Sequence, residues 1–150
     1  MPLYTKTITL PFGTFHITSD GEAITALYTG AAAETDTCPV LEEAAQQLTE
    51  YAAGTRQSFD LPVAPKGTAF QQTVWAALQA IPYGQTRTYG DIAAAIGIPK
   101  ATRAVGMACN KNPILMVIPC HRVIGKNGSL TGFGAGLELK ETLLNLEHLS

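Results

Sequence analysis

The feature that most constrains this chain is a short apolar run at residues 114–118, which leads directly into Pro119. A run of this length, rich in β-branched residues and preceded by the turn-like Asn112-Pro113, is typical of a buried strand. Because proline cannot donate to a sheet ladder, regular pairing should end at Pro119. Cys120 is therefore expected where a buried strand ends, with a thiol that is partly buried and still reaches a pocket.

The two residues after Cys120, His121 and Arg122, bear on its chemistry. A buried cysteine is usually an inert, small apolar residue. Positive charges nearby lower the pKa of a thiol toward the reactive thiolate, and these two side chains would supply them. Adjacent side chains of an extended segment point to opposite faces, so His121 can assist Cys120 only if the backbone turns there or a water bridges them. The sequence supports a nucleophilic cysteine without defining its electrophile.

Length and composition narrow the class of protein. The 150 residues, 46% of them hydrophobic, suit one domain or a domain with a small partner. No apolar run is long enough to span a bilayer, and the N-terminal residues lack the apolar segment of a signal peptide. The three cysteines have no CxxC spacing, which favours a reducing compartment over a disulfide framework. We therefore expect a cytoplasmic protein, and the scattered histidines predict no metal site.

The charge distribution is more informative than the net charge of −2. Residues 84–126 hold six basic residues against Asp91 alone, whereas the segments on either side are acidic overall. Binding to nucleic acid relies on neutralising phosphates, so a basic segment within an acidic chain indicates a local DNA-binding face. A solvated surface that happens to be basic would give the same pattern, and charge alone leaves both interpretations open.

The chain divides into two predicted parts. Residues 3–28 alternate loosely between apolar and polar and are broken by glycine-containing turns, which predicts a small antiparallel sheet. Residues 41–53 carry apolar side chains at helical spacing. Residues 55–68, with two prolines, are interpreted as an extended strand and linker. We therefore predict an N-terminal α/β domain with its linker at 1–66 and a mainly helical domain at 67–150.

The second part contains a predicted helix-turn-helix. A core helix is expected over residues 69–80, followed by a short helix that Thr88 or Asp91 would cap and Gly97 would end. Pro99 suits the first turn of the next helix. That helix has an apolar stripe of Ala101, Ala104, Val105 and Ala108, with Lys100 and Arg103 off the stripe. Two short helices joined by a tight turn, the second with exposed basic residues, are typical of a DNA-binding helix-turn-helix.

The last predicted helix spans residues 137–149. Its apolar side chains face inward at Leu139, Leu143 and Leu146, and Glu147 borders this face. An unpaired carboxylate is costly at such a position, so Glu147 should have a polar partner.

The segment Pro119-Cys120-His121-Arg122-Val123 resembles the active-site signature of the O6-alkylguanine-DNA alkyltransferases. Asn112-Pro113 precedes it at the family's distance, and a glycine-rich turn and a helix with Glu147 follow. The resemblance runs from about Phe70 to Glu147 and more weakly through the N-terminal half. It implies a small ribonuclease H-like α/β domain followed by a winged-helix-like helical domain with the helix-turn-helix, as in bacterial members.

The resemblance also implies the reaction. The substrate would be double-stranded DNA containing O6-alkylguanine, with O4-alkylthymine as a second candidate base. The flipped-out base would give its alkyl group once to the protein, without a cofactor or metal, as methylated-DNA–protein-cysteine S-methyltransferases do. A monomer would act, with cooperative binding along DNA left open. Relatives that only bind alkylated DNA have another residue at the position of Cys120, and this chain keeps the cysteine.

Site residues follow from the same resemblance. The catalytic set is Cys120, His121, Glu147, Tyr89 and Asn112. In this set Glu147 would orient His121, which deprotonates Cys120 through a water, while Tyr89 donates to guanine N3 and Asn112 fixes the loop around the thiol.

The DNA-binding set is Arg103, Lys100, Ala101, Thr102, Arg122 and Tyr89. The resemblance places the second helix of the motif in the minor groove, with Arg103 replacing the extruded nucleotide in the base stack. The substrate pocket is assigned to Pro119, Val123, Phe133, Gly134 and Ala135. Many members have tyrosine at the position of Phe133 and serine or another small residue at the position of Gly134. This chain lacks a side-chain hydroxyl there, so a hydrogen bond to O6 would have to come from the backbone, at the Gly134 N–H. The small residues leave a roomy pocket, which favours alkyl groups larger than methyl.

Two other classes of protein stay open at this point. A cysteine hydrolase would use Cys120, His121 and Glu147 as a triad and would turn over repeatedly. A helix-turn-helix DNA-binding protein would carry Cys120 as a merely buried residue, without any transfer.

Overall fold

The computed structural model describes residues 3–130 and 133–149 of the chain. Two compact units are present, one ending at Lys66 and the other spanning Gly67–Leu149. The first combines a three-stranded sheet with a helix, and the second consists mainly of helices. The predicted fold class, an α/β part followed by a helical part, is confirmed.

The first unit is built on an antiparallel sheet with the strand order β1-β2-β3. Its strands are β1 (Tyr4–Leu10), β2 (Gly13–Ser19) and β3 (Ile24–Thr29), and helix α1 (Pro39–Ala52) packs against them. Phe15 and Leu27 of the sheet and Leu41 and Leu48 of the helix are almost fully buried. The alternating pattern and the helical spacing in the sequence therefore predicted the right elements.

The segment after α1 is tied to this unit by one buried side chain and one strand bridge. The Gln47 side chain accepts from the backbone N–H of Asp60 at 2.9 Å and donates to its carbonyl at 3.2 Å. Ile24 and Val63 form an isolated parallel bridge. The strand predicted within residues 55–68 is therefore reduced to a single bridge in the described structure.

The second unit holds the helices of the predicted DNA-binding part. Its elements are α2 (Ala69–Gln79), β4 (Arg87–Thr88), α3 (Tyr89–Ala95), α4 (Thr102–Asn110), a 3₁₀ helix (Cys120–Arg122), β5 (Val123–Ile124) and α5 (Leu137–Leu149). The fully buried Trp75 of α2 donates its indole N–H to the Ala108 carbonyl of α4 at 2.9 Å. A Cβ at Gly67 would come within 2.5 Å of the Trp75 ring, so glycine permits this close packing.

Helices α3 and α4 form the predicted helix-turn-helix. A capping box opens α3, because the Thr88 hydroxyl accepts from the Asp91 N–H and the Asp91 carboxylate accepts from the Thr88 N–H. Gly97 follows α3 with a φ of +82°, which glycine adopts without strain. The Ala101 N–H then bonds the Ile98 carbonyl in a further turn, so α4 starts at Thr102. The position predicted for Pro99, inside the first turn of α4, is therefore wrong.

The apolar stripe predicted for α4 is only partly correct. Val105 and Ala108 are buried, but Ala104 is exposed and Cys109 lies in the core instead. Alanine buries little apolar surface, so a pattern that depends on alanines does not fix which face of a helix turns inward.

The strand predicted at residues 114–118 is wrong, although most of its residues are buried as expected. Ile114 makes a single bridge, and residues 115–117 form a turn in which Met116 has a left-handed φ of 67°. The Asn112 side chain accepts from the Ile114 N–H at 2.9 Å and donates to the Ile118 carbonyl at 2.8 Å. Because one side chain satisfies these buried backbone groups, the segment needs no neighbouring strand to pair with them. Regular pairing begins after the cysteine, where β5 runs parallel to β4.

Candidate active site

Cys120 opens the 3₁₀ helix and is 2% exposed. Its backbone N–H donates to the Ile118 carbonyl at 2.8 Å, and the Asn112 amide donates to its Sγ at 3.1 Å. The amide of Asn112 thus holds both the turn before the cysteine and the sulfur itself. These contacts agree with the expectation that Asn112 fixes the loop around the thiol.

His121 and Glu147 form a buried pair, as the burial of the Glu147 carboxylate required. The His121 Nε2 and the Glu147 Oε2 are 2.5 Å apart. The tight 3₁₀ turn at Cys120 supplies the backbone bend that His121 needed in order to assist its neighbour. The Gly84 N–H also donates to the Glu147 Oε1 at 3.3 Å, so the turn before β4 holds the same carboxylate.

Arg122 is the second partner of that carboxylate. Its Nε donates to the Glu147 Oε1 at 2.7 Å and its Nη2 to the Oε2 at 3.0 Å. Its Nη1 donates to the Ile81 carbonyl at 2.8 Å, and the guanidinium lies 5.8 Å from the centre of the Tyr83 ring. The side chain is almost fully buried. The assignment of Arg122 to the DNA-binding set is therefore corrected, because all three of its nitrogens bind groups inside the protein.

The pKa of the Cys120 thiol differs in direction from the sequence expectation. Burial raises it to about 11, against the opposing effects of the Asn112 hydrogen bond and the Lys140 charge. The expectation that His121 and Arg122 would lower this pKa is wrong, because desolvation dominates and the Arg122 charge is paired with Glu147. A thiol with such a pKa is protonated at neutral pH and needs a base to react.

His121 has the properties of that base. Burial lowers the pKa of its imidazole, against the opposing effect of Glu147, so the neutral form is favoured. In the neutral ring, the proton lies on Nε2, where it donates to the Glu147 carboxylate. Nδ1 then carries a lone pair, and it is buried with no hydrogen-bond partner among the described residues. The ring therefore presents an acceptor nitrogen inside the site.

A buried lysine that the sequence reasoning missed completes this part of the structure. Lys140 of α5 is fully buried, and its Nζ donates to the Val123 carbonyl at 2.5 Å and to the Tyr89 hydroxyl at 3.4 Å. The rings of Tyr89 and Phe133 lie 5.7 and 5.9 Å from the same nitrogen. A signal was available, because Lys140 lies seven residues before Glu147 and three before Leu143, on the inward face of α5.

Four of the predicted DNA-binding residues, Lys100, Ala101, Thr102 and Arg103, lie at the start of α4 or just before it, whereas Tyr89 begins α3. Lys100, Thr102 and Arg103 are exposed, and Ala101 and Tyr89 are partly exposed. Arg103 therefore stands on the outer face of the second helix of the motif. Met107, one turn further along α4, is 66% exposed on the same side.

The predicted pocket residues are partly brought to the cysteine. Pro119 and Val123 flank the 3₁₀ helix and are buried. Phe133 is also buried and contacts Lys140, whereas Gly134 is exposed and Ala135 is partly exposed.

Among the residues that the structure describes, no cluster of three or more histidine, cysteine or acidic side chains could hold a metal ion. None of the described helices is both long and apolar enough to cross a bilayer.

Models of one protein family match both halves of the chain. The 6-O-methylguanine DNA methyltransferase ribonuclease-like domain matches residues 3–65, and the DNA binding domain of the same family matches residues 69–149. The chain is also 48% identical over 159 residues to the constitutive methylated-DNA–protein-cysteine methyltransferase of Bacillus subtilis, covering 98% of this chain and 96% of that protein.

Solved structures agree with this assignment. The O6-methylguanine methyltransferase of Mycobacterium tuberculosis has a TM-score of 0.90 and 42% identity, covering 99% of this chain and 94% of its own. The same bacterium's OGT in complex with DNA has a TM-score of 0.89 and 44% identity, covering 97% and 92%. The resemblance inferred from the signature at Cys120 is thereby confirmed. The chain belongs to the 6-O-methylguanine DNA methyltransferase family, which reverses DNA damage directly by moving an alkyl group from DNA to a protein cysteine.

Proposed function

We propose that this protein repairs O6-alkylguanine in double-stranded DNA by moving the alkyl group to Cys120 in a single, irreversible transfer. The observation that carries the proposal is the set of contacts around one sulfur. Cys120 Sγ accepts from Asn112, and the next residue, His121, is a buried neutral base paired with Glu147. Cys109 is also buried, but burial raises the pKa of its thiol to about 12 and it lies outside the signature.

Activation of the thiol follows from the raised pKa of Cys120 and the lowered pKa of His121. Cys120 begins as a thiol, and His121 takes its proton at Nδ1 through a bridging water. The Glu147 carboxylate then stabilises the imidazolium through Nε2, and the two bonds from Arg122 hold that carboxylate in place. The Asn112 amide donates to the sulfur and stabilises the thiolate as it forms.

Transfer is a nucleophilic displacement. The thiolate attacks the carbon bonded to O6, so the S–C bond forms while the C–O bond breaks, and its electron pair passes to the purine. Tyr89 donates its hydroxyl proton toward N3 of the leaving guanine. Water does not readily hydrolyse the resulting thioether, unlike an acyl-enzyme ester, so each molecule repairs one base and stays alkylated.

The damaged base has to leave the helix before it can react. A purine stacked within a duplex cannot be reached by a buried thiol, so the nucleotide must be extruded. Exposed Arg103 stands on the outer face of α4, and the neighbouring Ala101 and Thr102 are small enough for close approach to a groove. We assign α4 to the minor groove and Arg103 to the space that the extruded nucleotide leaves in the stack. In this proposal the protein acts as a monomer in the cytoplasm, a reducing compartment in which its cysteines stay reduced.

The preferred alkyl group is inferred from the pocket loop. Phe133 carries no hydroxyl, and the small Gly134 and Ala135 beside it leave room for groups larger than methyl. Ala135→Trp should therefore slow the removal of benzyl groups more than that of methyl groups. Equal single-turnover rates for the wild type and this variant with both substrates would contradict the assignment of the loop.

The proposed acceptor is tested by locating the alkyl group. After incubation with DNA containing one O6-methylguanine, peptide mass spectrometry should find the methyl group on the peptide with Cys120. Cys120→Ser should lose transfer and keep DNA binding, whereas the matched control Cys109→Ser should keep both. A methyl group on Cys109 or Cys38, or transfer by Cys120→Ser, would overturn the proposal.

A further inference from the structure

Met107 is the most exposed large apolar side chain among the residues that the structure describes. It lies on the outer face of α4, whose inner face buries Val105, Ala108 and Cys109. A single exposed apolar residue is common on protein surfaces, so its meaning depends on what surrounds it. The transfer mechanism above gives Met107 no contact, although it stands on the helix assigned to DNA.

Met107 is a neighbour of Arg103 on that face. Side chains four residues apart on a helix lie next to each other, and both of these are exposed. An α-helix rises about 1.5 Å per residue, so the two are about 6 Å apart along the axis, against about 3.4 Å between successive nucleotides of a DNA strand. Met107 therefore lies within about two nucleotides of the position that Arg103 reaches.

Two further observations link this turn of α4 to DNA. A Cβ built at Gly106 would come 3.8 Å from the Tyr89 ring, an ordinary van der Waals contact, so the turn with Met107 lies against the tyrosine that begins α3. Residues 92–137 contain no acidic residue, and the charged residues nearest to Met107 in the sequence are all basic: Lys100, Arg103 and Lys111. An apolar side chain among basic ones suits a polyanion with apolar edges, as the deoxyriboses and bases of a DNA groove are.

We propose that Met107 is a further DNA-contacting residue, an apolar wedge that enters the minor groove beside Arg103 and holds it open while the damaged base is outside the helix. This inference rests on the proposed function, in which α4 lies in the minor groove. Proteins that bind this groove insert methionine and other apolar side chains between base steps, which partly unstacks and bends the duplex. The flexible methionine side chain adapts to an irregular surface, so the same wedge fits different sequences around the lesion.

Transfer rates at protein concentrations below saturation measure the contribution of this contact. Met107→Ala should slow transfer from duplex DNA about 10-fold, the scale of burying one methionine side chain, and should slow transfer from a single strand far less. Met107→Leu keeps most of the apolar volume and should restore most of the duplex rate. The matched control Leu3→Ala truncates another exposed apolar side chain and should change neither rate. An unchanged or faster duplex rate for Met107→Ala would overturn the proposal, as would equal losses on duplex and single strand.

The salt dependence of binding separates an apolar contact from an effect on the basic neighbours. Equilibrium binding to duplex DNA is measured at several salt concentrations with Cys120→Ser, which should bind without transfer. Adding Met107→Ala should weaken binding at every concentration and leave the slope of log affinity against log salt unchanged, because no phosphate contact is lost. Adding Lys100→Ala instead should reduce the magnitude of that slope by about 1. A slope reduced to the same extent by Met107→Ala would overturn the proposal.

A second copy of this chain is the other occupant that the test must separate from DNA. Sedimentation of the wild type without DNA should show a monomer, and a dimer that Met107→Ala abolishes would assign the residue to self-association and overturn the proposal. The variant should fold normally, because the side chain is exposed and alanine favours a helix.

Failure of the proposed function would give a different pattern. Arg103→Ala would then also leave repair of duplex DNA unchanged, because α4 would not lie in the groove. An impaired Arg103→Ala beside an unimpaired Met107→Ala would overturn the inference about Met107 alone.

Discussion

Replacing Glu147 by glutamine should destabilise the second unit severely, because it leaves the buried Arg122 without its counter-ion. Glu147 is 3% exposed and Arg122 is 6% exposed. The carboxylate accepts two bonds from Arg122 at 2.7 and 3.0 Å and a third from His121 at 2.5 Å. Removing one partner of a buried ion pair costs about 3–5 kcal/mol, since the other charge stays desolvated.

Tryptophan fluorescence during urea unfolding measures the stability of the second unit, where Glu147 lies. Trp75 is the one tryptophan of the sequence and lies on α2 of the second unit. With a urea dependence of about 1–3 kcal/mol per molar, the loss corresponds to a midpoint lowered by roughly 2 M. The matched control is Glu42→Gln, which removes the exposed partner of Lys6 in the first unit and should leave the midpoint almost unchanged.

A second variant tests the cause of the loss. Arg122→Met combined with Glu147→Met removes both charges, so it should be more stable than Glu147→Gln alone even though two residues have changed. The reasoning would be refuted if Glu147→Gln lowered the free energy of unfolding by less than about 1 kcal/mol, the range of exposed ion pairs. It would also be refuted if the double variant were the less stable of the two.

Three further outcomes follow from the site. Asn112→Ala should cost about 2–5 kcal/mol and slow transfer, because the buried Ile114 N–H and Ile118 carbonyl lose their partner and the sulfur loses its donor. Arg103→Ala should slow repair of duplex DNA far more than repair of a single strand, where the base is already unstacked. Below about pH 6.5 stability should fall as His121 protonates more readily in the unfolded chain, with a slope of at most about 1.4 kcal/mol per pH unit.

Unfolding and single-turnover assays test the predictions for Asn112, Arg103 and His121. Urea unfolding of Asn112→Ala would contradict the account if its stability matched the wild type. Single-turnover assays would do so if Arg103→Ala lost equal activity on duplex and single strands. For the acid effect, the unfolded state binds more protons than the folded state between the lowered and the ordinary pKa of His121, so stability must decrease as pH falls there. His121→Gln should flatten this slope, and an unchanged slope would assign it to other groups.

Local chemistry made several parts of the structure predictable. Thr88 and Asp91 were predicted as alternative caps of α3, and in the structure Thr88 is the N-cap while Asp91, three residues later, completes a capping box. The position of Glu147 on an apolar helical face required a buried partner, which the signature supplied as His121. These predictions held because each depends on a short stretch of chain or on one strong energetic requirement.

The errors have a common origin in specific side-chain contacts that a pattern of residue types does not reveal. The apolar run at residues 114–118 predicted burial correctly. Its conformation depends on the Asn112 side chain, which bonds the backbone groups that a neighbouring strand would otherwise pair with. Arg122 was predicted to face DNA, because the sequence does not reveal that Glu147 and the Ile81 carbonyl meet its guanidinium. Lys140 was overlooked, since a lysine is expected to be exposed unless its partners are known.

The account depends most on a single sacrificial thiol, and intact mass spectrometry during titration tests that directly. Increasing amounts of DNA containing O6-methylguanine are added to a fixed amount of protein. We predict one added methyl group per molecule, on Cys120, with demethylation stopping at one equivalent however much DNA is present. Continued demethylation with protein of unchanged mass, as a hydrolase would give, would contradict the account.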